Sequence, residues 1–223
     1  MAKIRAVVFD VGGTLVYTAD PVGETYARFA KPHGVKLSAD AATIAFHEAM
    51  KKLPREKGTI PTDGNDRAWW KKVVRASLPE SAFPEKKAFE SFFEEVYLYF
   101  AKPEAWGVYP EVPEVLEALR DRGVDLVALS NWDERLHAVL DGHGLGEWLS
   151  QRFISAELGW EKPDPAIYRH VADVMRISPD ALLSVGDDAK NDVEGPRKAG
   201  WRAVQIERPK HDLWAAVRAL TKR

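Results

Sequence analysis

Carboxylate, hydroxyl and amide side chains directly follow three short apolar runs of the sequence. The runs, each with the polar residues that end it, are residues 4–9 with Asp10, residues 124–129 with Ser130 and Asn131, and residues 181–185 with Gly186, Asp187 and Asp188. Short apolar runs that end in polar or glycine residues are typical of strands buried on both faces of a parallel sheet. Because ligands of such sheets bind at the carboxyl ends of the strands, we expect these side chains to lie close together.

The groups expected at this edge of the sheet are suited to phosphoryl chemistry. Asp10, Asp187 and Asp192, the last of them one helical turn further on, would form a dense cluster of negative charge, which requires cations to neutralise it. A small number of hard oxygen ligands favours Mg²⁺, completed by water and a substrate phosphate. The remaining groups of the predicted pocket are the ammonium of Lys162, the hydroxyl of Ser130 and the backbone N–H of Asn131. Together they predict a site for a phosphoryl group beside a carboxylate nucleophile.

Helical patterns alternate with the strand-like runs in two stretches of the chain, residues 1–16 and 108–223. Residues 112–119 follow the period of an amphipathic helix, and Asp164 followed by proline is a typical helix start. Residues 203–206 form a fourth apolar run. Strand–helix alternation predicts an α/β fold, in which a Rossmann-like parallel sheet has helices on both faces. We therefore predict one α/β core domain made from the two stretches.

Residues 17–107 show a different pattern, without a convincing strand. Aromatic and apolar residues recur at helical spacing, most clearly over residues 89–100, and the segment has room for about four helices. Residues 53–64 are rich in proline, glycine and charge and predict a loop. The sequence thus predicts an all-helical cap domain that is inserted after the first strand.

The composition restricts which other kinds of site the chain can build. It contains no cysteine, which excludes disulfides, thiolate zinc sites, iron–sulfur clusters and cysteine nucleophiles. With 32 basic and 34 acidic residues the formal net charge is −2, so no global field attracts nucleic acid or an anionic membrane. No apolar stretch approaches the roughly 20 residues of a membrane span, and the first apolar run is too short for a signal peptide. We expect a cytoplasmic protein that acts on a small molecule; its oligomeric state is not readable from the sequence.

The polar groups resemble, in order and spacing, the four motifs of the haloacid dehalogenase-like (HAD) hydrolase superfamily. The matching residues are Asp10-x-Gly12-Gly13-Thr14, Ser130, Lys162-Pro163 and Gly186-Asp187-Asp188-x-x-x-Asp192. The resemblance extends over nearly the whole chain, because a helical cap between the first and second motifs is the pattern of one large branch of the superfamily.

The resemblance implies a role for each motif residue. Asp10 would attack phosphorus and form an aspartyl-phosphate, which water then hydrolyses. Mg²⁺ would bind the Asp10 carboxylate, the backbone carbonyl of Gly12, Asp187 and, directly or through a water, Asp192. Thr14 would order the loop after the nucleophile. The residues that would hold the phosphoryl oxygens as charge spreads over them are Ser130, Asn131 and Lys162.

One position departs from the pattern of most phosphatases in the superfamily. These carry an aspartate two residues after the nucleophile, which protonates the leaving group and later activates water; here that position is Gly12. Proton transfer of this kind typically contributes about 10²–10⁴-fold to the rate. One explanation is a slow phosphatase, or one whose substrate has a good leaving group, such as an acyl or aryl phosphate. A second is a replacement acid, for which Tyr17, Asp188 and His47 are candidates.

A third explanation is that the chain is not a phosphatase. The 2-haloacid dehalogenases also lack the second aspartate and attack carbon without a metal, but they do not keep the acidic fourth motif. Here Asp187 and Asp192 would oppose the binding of a carboxylate substrate. A binding or regulatory protein with a weakened catalytic site is a further alternative. The expectation that follows is a Mg²⁺-dependent phosphatase of small phosphorylated metabolites.

Several of these residues also have purely structural interpretations. Asp187 and Asp188 can be acidic residues that a helix N-terminus favours. Ser130 and Asn131 can cap the helix that follows them. Trp132 and Trp160 lie next to motif residues in the sequence and are candidates for the mouth of the pocket.

Overall fold

The computed structural model describes residues 2–53 and 65–221, and the chain divides into two compact units. One unit consists of Met1–Tyr17 and Val108–Arg223, and the other of Thr18–Gly107. The loop predicted for residues 53–64 lies, apart from Leu53, outside the described residues.

Two sheets are formed by the strands of the described residues. The strands are β1 (Ala6–Phe9), β2 (Val16–Thr18), β3 (Trp106–Val108), β4 (Asp125–Ser130), β5 (Gln151–Ile154), β6 (Leu182–Gly186) and β7 (Arg202–Gln205). Five of them form a parallel sheet in the order β5-β4-β1-β6-β7, and β2 pairs with β3. Phe9 at the end of β1 is level with Ala128 of β4 and Val185 of β6. The residues that follow these three strands therefore emerge side by side.

The helices of the described residues alternate with the strands of the larger sheet and fill the inserted segment. They are α1 (Val22–Ala30), α2 (Ala39–Lys52), α3 (Asn65–Ala76), α4 (Lys86–Tyr99), α5 (Val112–Arg120), α6 (Arg135–Gly142), α7 (Ser155–Leu158), α8 (Pro165–Met175), α9 (Gly195–Lys198) and α10 (Trp214–Thr221). A π-helical segment, Ala189–Glu194, precedes α9, and single 3₁₀ turns cover Lys31–His33, Glu80–Ala82, Pro103–Ala105, Leu145–Glu147 and Pro179–Ala181.

The core of the first unit lies between the parallel sheet and its helices. Successive side chains of a strand point to opposite faces, so Ala6 and Val8 lie on the same face of β1. On that face they belong to one buried cluster with Ile167 and Val171 of α8. Helix α5 packs against β4, and α10 packs against α5 and β7. The predicted α/β fold with a parallel sheet is confirmed.

Three strands were not predicted from the sequence. The edge strand β5 begins with Gln151 and Arg152, which retain exposed surface, so it lacks the continuous apolar run of the central strands. The strands β2 and β3 have three residues each and extend into the segment that was expected to be free of strands. Strands of this length carry too few residues to show a period of two.

The unit Thr18–Gly107 has a core of its own, built mainly from aromatic side chains. Tyr26 of α1 contacts Phe92 of α4 edge to face, with ring centroids 6.1 Å apart. Helices α1 and α2 approach closely at Gly23, where a Cβ atom would lie 1.9 Å from the backbone oxygen of Ala39. The Gly23 N–H donates to the Thr43 hydroxyl at 3.1 Å. The aromatic stripe predicted over residues 89–100 forms the buried face of α4 from Phe89 to Tyr97.

Candidate active site

The ends of β4, β1 and β6 bring three of the predicted motifs to one edge of the sheet. Asp10 directly follows the central strand β1, and its backbone N–H donates to the Val185 carbonyl of β6 at 2.9 Å. Ser130 is the last residue of β4 and is buried, and Asp187 directly follows β6. β1 has a neighbouring strand on each side, so Asp10 leaves the sheet at its centre. Ligands of open parallel sheets bind at the carboxyl ends of the strands, which is the edge where these three residues lie.

Three carboxylates meet at this edge. Asp10, Asp187 and Asp192 each offer one carboxylate oxygen, and these oxygens all lie within 4.8 Å of one another. Asp192 is almost completely buried, whereas Asp187 is exposed. Hard oxygen donors at such short separations, one of them open to solvent, fit an ion such as Mg²⁺ that keeps part of its water shell.

Lys162 neutralises part of this negative charge. Its ammonium Nζ donates to Asp10 Oδ1 at 2.8 Å and to Asp192 Oδ1 at 2.6 Å, and the side chain is 4% exposed. Burial alone would lower the pKa of Lys162, but the charges of the two aspartates outweigh burial and raise the pKa above its ordinary value. The lysine is therefore a fixed positive charge beside Asp10.

One lysine is not enough to balance three carboxylates. Partial burial of the carboxylate is the largest cause that raises the pKa of Asp187 to about 6, and the charge of Asp10 is the next largest. Burial and the charge of Asp10 also raise the pKa of Asp192, although the bonds from Lys162 act in the opposite direction. Both pKa values are thus raised first by burial and then by the charge of Asp10, and a bound divalent cation would oppose both causes by favouring the ionised carboxylates.

The side chain of Asn131 holds the loop that carries Lys162. Its amide Nδ2 donates to the Lys162 carbonyl at 2.8 Å, and its Oδ1 accepts from the Lys162 N–H at 2.7 Å. The expectation that Ser130 and Asn131 cap the next helix is wrong, because α6 begins at Arg135 after Glu134, without a side-chain cap. The side chain of Asn131 instead joins the second motif to the third.

The conformation of the loop after Asp10 depends on Gly13 and Thr14. Gly13 has a φ of +82°, and a Cβ atom there would lie 2.6 Å from Asp187 Oδ2, so glycine is required for both reasons. The Thr14 hydroxyl lies 3.3 Å from Asp10 Oδ2 and 3.5 Å from Asp187 Oδ1. Thr14 therefore bridges the first and fourth motifs, and it is fully buried.

Gly12 faces the buried indole of Trp132. A Cβ atom at Gly12 would lie 3.5 Å from Cζ3 of Trp132, which is an ordinary van der Waals contact. Trp132 thus lies against the first motif, and its place at the mouth of a pocket stays a prediction. Trp160 is 41% exposed and packs on His170 of α8.

The fourth motif combines a structural residue with the site residues. Asp188 accepts from the N–H groups of Lys190 and Asn191 at 2.9 and 2.7 Å, so it caps the π-helical segment Ala189–Glu194. The structural interpretation is thus right for Asp188. Gly186 leaves room for Asp192, because a Cβ atom there would lie 2.3 Å from the Asp192 carboxylate carbon.

Of the other candidates for a replacement acid, Tyr17 belongs to the first unit and His47 to α2 of the second. The Tyr17 ring packs on Tyr109, with centroids 4.8 Å apart. Sequence reasoning missed Tyr109 and Arg208, which contact each other and the loop after the nucleophile. For Arg208 a signal existed, since it follows the last predicted strand and so belongs to the same edge of the sheet.

Among the described residues, no helix combines the length and the apolar character that crossing a membrane requires. Localisation in the cytoplasm stays a prediction.

Comparison with known proteins identifies the family. A model described as haloacid dehalogenase-like hydrolase matches residues 4–200. The human haloacid dehalogenase-like hydrolase domain-containing protein 3 is 30% identical over 212 residues, which cover 93% of this chain and 83% of that protein. A dehalogenase with an intermediate complex has a TM-score of 0.70 and 22% identity, over 94% of this chain and 87% of its own.

A HAD phosphatase from Thermococcus onnurineus has a similar fold, with a TM-score of 0.61 and 23% identity over 92% of this chain and 87% of its own. At these identities the two solved structures bear on the fold alone, and they do not choose between dehalogenation and phosphate hydrolysis. The family match and the relatives agree with the resemblance that the motif residues carry. This chain belongs to the haloacid dehalogenase-like hydrolase family.

Proposed function

We propose that this hydrolase is a Mg²⁺-dependent phosphatase of small phosphorylated metabolites, which forms an aspartyl-phosphate on Asp10. The observation that carries the proposal is the carboxylate cluster of Asp10, Asp187 and Asp192, within 4.8 Å of one another, with the Lys162 ammonium 2.8 Å from Asp10. Excess negative charge favours a cation and a phosphate held through that cation. The same charge repels a haloacid carboxylate in a site without metal.

The residues that would hold Mg²⁺ are Asp10, Asp187 and the backbone carbonyl of Gly12, with Asp192 acting directly or through water. When bound, the ion offsets the negative charge of the phosphoryl oxygens and of the carboxylates. The remaining positive charge near the reacting group comes from Lys162, which the Asn131 side chain holds in place.

The proposed reaction has two displacements at phosphorus. In the first, an Asp10 oxygen bonds to phosphorus, and the bond to the leaving oxygen breaks with its electron pair. In the second, a water oxygen attacks the aspartyl-phosphate, which returns the Asp10 carboxylate and gives inorganic phosphate and a proton. In both steps the Ser130 hydroxyl, the Asn131 N–H and Lys162 would bind the phosphoryl oxygens as charge spreads over them.

Gly12 restricts the substrates that such a site handles well. Residue 12 has no side chain that can give a proton to the departing oxygen, so the oxygen leaves as an anion unless another group protonates it. We therefore propose that acyl and aryl phosphates, whose leaving groups are weak bases, react faster than alkyl phosphates.

The first experiment tests turnover of acetyl phosphate and p-nitrophenyl phosphate with Mg²⁺ and with a chelator. We expect Mg²⁺-dependent release of phosphate by the native protein and none by Asp10→Asn, and Asp188→Asn should retain activity because asparagine is also a good helix cap. Equal inactivity of the native protein and Asp10→Asn would overturn the proposal in favour of a binding protein. Chloride release from 2-chloropropionate without metal would overturn it in favour of a dehalogenase.

The second experiment restores the missing acid with Gly12→Asp. The Cβ atom of this variant would lie 3.5 Å from Trp132, an ordinary contact, so the backbone at residue 12 accepts a side chain at its first carbon. Rates are measured for a series of phosphate esters whose leaving groups differ in pKa. We expect a steep dependence on leaving-group pKa for the native protein and a shallower one for the variant, with alkyl phosphates gaining about 10²-fold or more. An unchanged slope would indicate that another residue already supplies the proton.

A further inference from the structure

Arg208, which lies between β7 and α10, makes three separate contacts within the first unit. Its Nη1 donates to Glu111 Oε1 at 2.7 Å, and its Nη2 donates to the backbone carbonyl of Thr14 at 3.0 Å. The guanidinium carbon lies 3.4 Å from the centre of the Tyr109 ring. We refer to Thr14, Tyr109, Glu111 and Arg208 as the Arg208 cluster. It joins three segments that are distant in the sequence.

The cluster includes a residue whose hydroxyl contacts the site carboxylates. Thr14 accepts from Arg208 through its carbonyl, while its hydroxyl lies between Asp10 Oδ2 and Asp187 Oδ1 at 3.3 and 3.5 Å. The loop also bonds to the segment of Tyr109, whose N–H donates to the Leu15 carbonyl at 3.1 Å. A displacement of the Thr14 backbone would therefore move a hydroxyl that contacts two site carboxylates.

The arginine itself is held firmly. Glu111 Oε1 accepts from Arg208 and also from the Leu213 N–H at 3.3 Å, so the carboxylate binds the chain on both sides of the loop that leads to α10. Only 21% of the Arg208 side chain and 18% of the Glu111 side chain are exposed. A partly buried, planar guanidinium with partners in fixed directions holds a backbone carbonyl more exactly than a flexible lysine can.

We propose that Arg208 is a positioning residue for the reaction at Asp10. It fixes the Thr14 backbone, and the Thr14 hydroxyl then holds the carboxylates of Asp10 and Asp187 in place. This inference rests on the proposed phosphatase function. Arg208 acts through Thr14, and none of its contacts above is with a site carboxylate. The competing explanation is that Arg208 only attaches the segment before α10 to the core.

The test compares Arg208→Ala and Arg208→Lys with the native protein, and Arg152→Ala serves as the matched control. Arg152 lies on β5 in the same unit, is ion-paired with Asp141 and has a similarly small exposed fraction, 19%. The readouts are kcat and KM for acetyl phosphate with Mg²⁺, the affinity for fluoroberyllate with Mg²⁺ by calorimetry, and the melting temperature. Fluoroberyllate binding reports the geometry of the Asp10 site without requiring turnover.

For Arg208→Ala we expect kcat to fall about 10- to 100-fold, the loss typical of a small misplacement of reacting groups, with KM changed less than about threefold. The affinity of Arg208→Ala for fluoroberyllate should fall about tenfold or more, because the same groups at Asp10 are misplaced. Arg208→Lys should be intermediate, because an ammonium cannot reproduce the planar pair of donors. Added guanidinium at low millimolar concentration should restore kcat in Arg208→Ala only. Arg152→Ala should keep the native kcat and fluoroberyllate affinity, even if the loss of its ion pair with Asp141 lowers the melting temperature.

Two results would overturn the inference. One is an active native enzyme whose Arg208→Ala variant keeps kcat and fluoroberyllate affinity. The other is a loss of activity in Arg208→Ala that follows its melting temperature, disappears on cooling and is not rescued by guanidinium, which would make Arg208 a structural attachment only. A native protein that neither hydrolyses phosphates nor binds fluoroberyllate refutes the proposed function itself, and the inference with it.

Discussion

Replacing Asp187 by asparagine should make the metal-free protein more stable at about pH 8, although it removes a predicted metal ligand. The pKa of Asp187 is raised in the folded chain from its ordinary value of 3.8 to about 6. A raised pKa means that folding disfavours the ionised carboxylate. The corresponding stability is therefore fully present below the unfolded-state pKa and is lost as the pH rises through about 6. Asparagine has the same shape without the charge.

The magnitude follows from this pKa difference. At 1.36 kcal/mol per pKa unit, the rise corresponds to at most about 3 kcal/mol. Asp187 is exposed, so solvent screening reduces this figure, and we expect about 1 kcal/mol. For a chain of this size, a gain of that order raises the melting temperature by about 2–4 °C.

The assay is thermal or urea unfolding of the native protein and Asp187→Asn between about pH 4 and pH 8, with a chelator or with Mg²⁺. With a chelator, the difference in the free energy of unfolding between Asp187→Asn and the native protein should be largest at high pH. It should become small near pH 4, where residue 187 of the folded chain is neutral in both proteins. With Mg²⁺ the order should reverse at high pH, because the ion stabilises the native protein more than the variant. Asp188→Asn, whose side chain caps the next helical segment, should show a much smaller effect, because the charge of Asp188 raises the pKa of Asp187 less than burial and Asp10 do.

The reasoning is refuted if Asp187→Asn is no more stable than the native protein at about pH 8 without metal. That result would mean that Lys162 and solvent already compensate the carboxylate cluster. If Asp187→Asn raises the stability by the same amount at every pH, the cause is packing rather than charge.

Three further substitutions have expected outcomes. Asn131→Ala removes both hydrogen bonds to the Lys162 backbone, so kcat with Mg²⁺ should fall, and urea unfolding should show a loss of about 1–3 kcal/mol; unchanged kcat would mean that the Lys162 loop keeps its place without this link. Gly13→Ala should abolish turnover and lower the melting temperature, because residue 13 has a φ of +82° and the added methyl meets a site carboxylate; a variant as active as the native protein would contradict this. Gly144→Ala, at a residue with a φ of +68° and no atom within 4 Å of its Cβ position, is the matched control for Gly13→Ala and shows the effect of backbone strain alone. Gly23→Ala should destabilise the inserted unit, measured as a lower melting temperature, because its methyl would overlap the Ala39 carbonyl; an unchanged melting temperature would contradict this.

The central part of the fold was predictable because its residues carry a local signal. β1, β4 and β6 are apolar runs that are buried on both faces, and each ends in polar groups. The edge strand β5 has a neighbour on one side only and begins with polar residues, so its sequence pattern is no different from that of a loop. Local patterns therefore identify strands by their apolar residues: they find the other edge strand, β7, although it is partly exposed, and they miss β5.

In the site too, the sequence predicted the residues that follow strands and did not predict the contacts between distant side chains. The sequence predicted that Asp10 and Asp187 would converge, because each directly follows a strand, and it assigned Lys162 to the same site from the order of the motifs in the chain. The sequence did not show that the Asn131 side chain holds the Lys162 backbone, or that Arg208 bonds to the loop after Asp10. Contacts of this kind depend on side-chain directions after folding, and no spacing in the sequence encodes them.

The central place of β1 in the sheet has a consequence for how the chain folds. β1 is made first, yet its two partners are distant in the sequence: Ala6 pairs with Asp125 of β4 and with Leu182 of β6. Non-local pairing is slow, because the entropy of closing a long loop is lost before the contacts form. The helices between these strands depend on contacts between residues that are close in the sequence, and they can form earlier. A nascent chain thus contains Asp10 long before Lys162 and Asp187, so the carboxylate cluster can assemble only after β6 has been made.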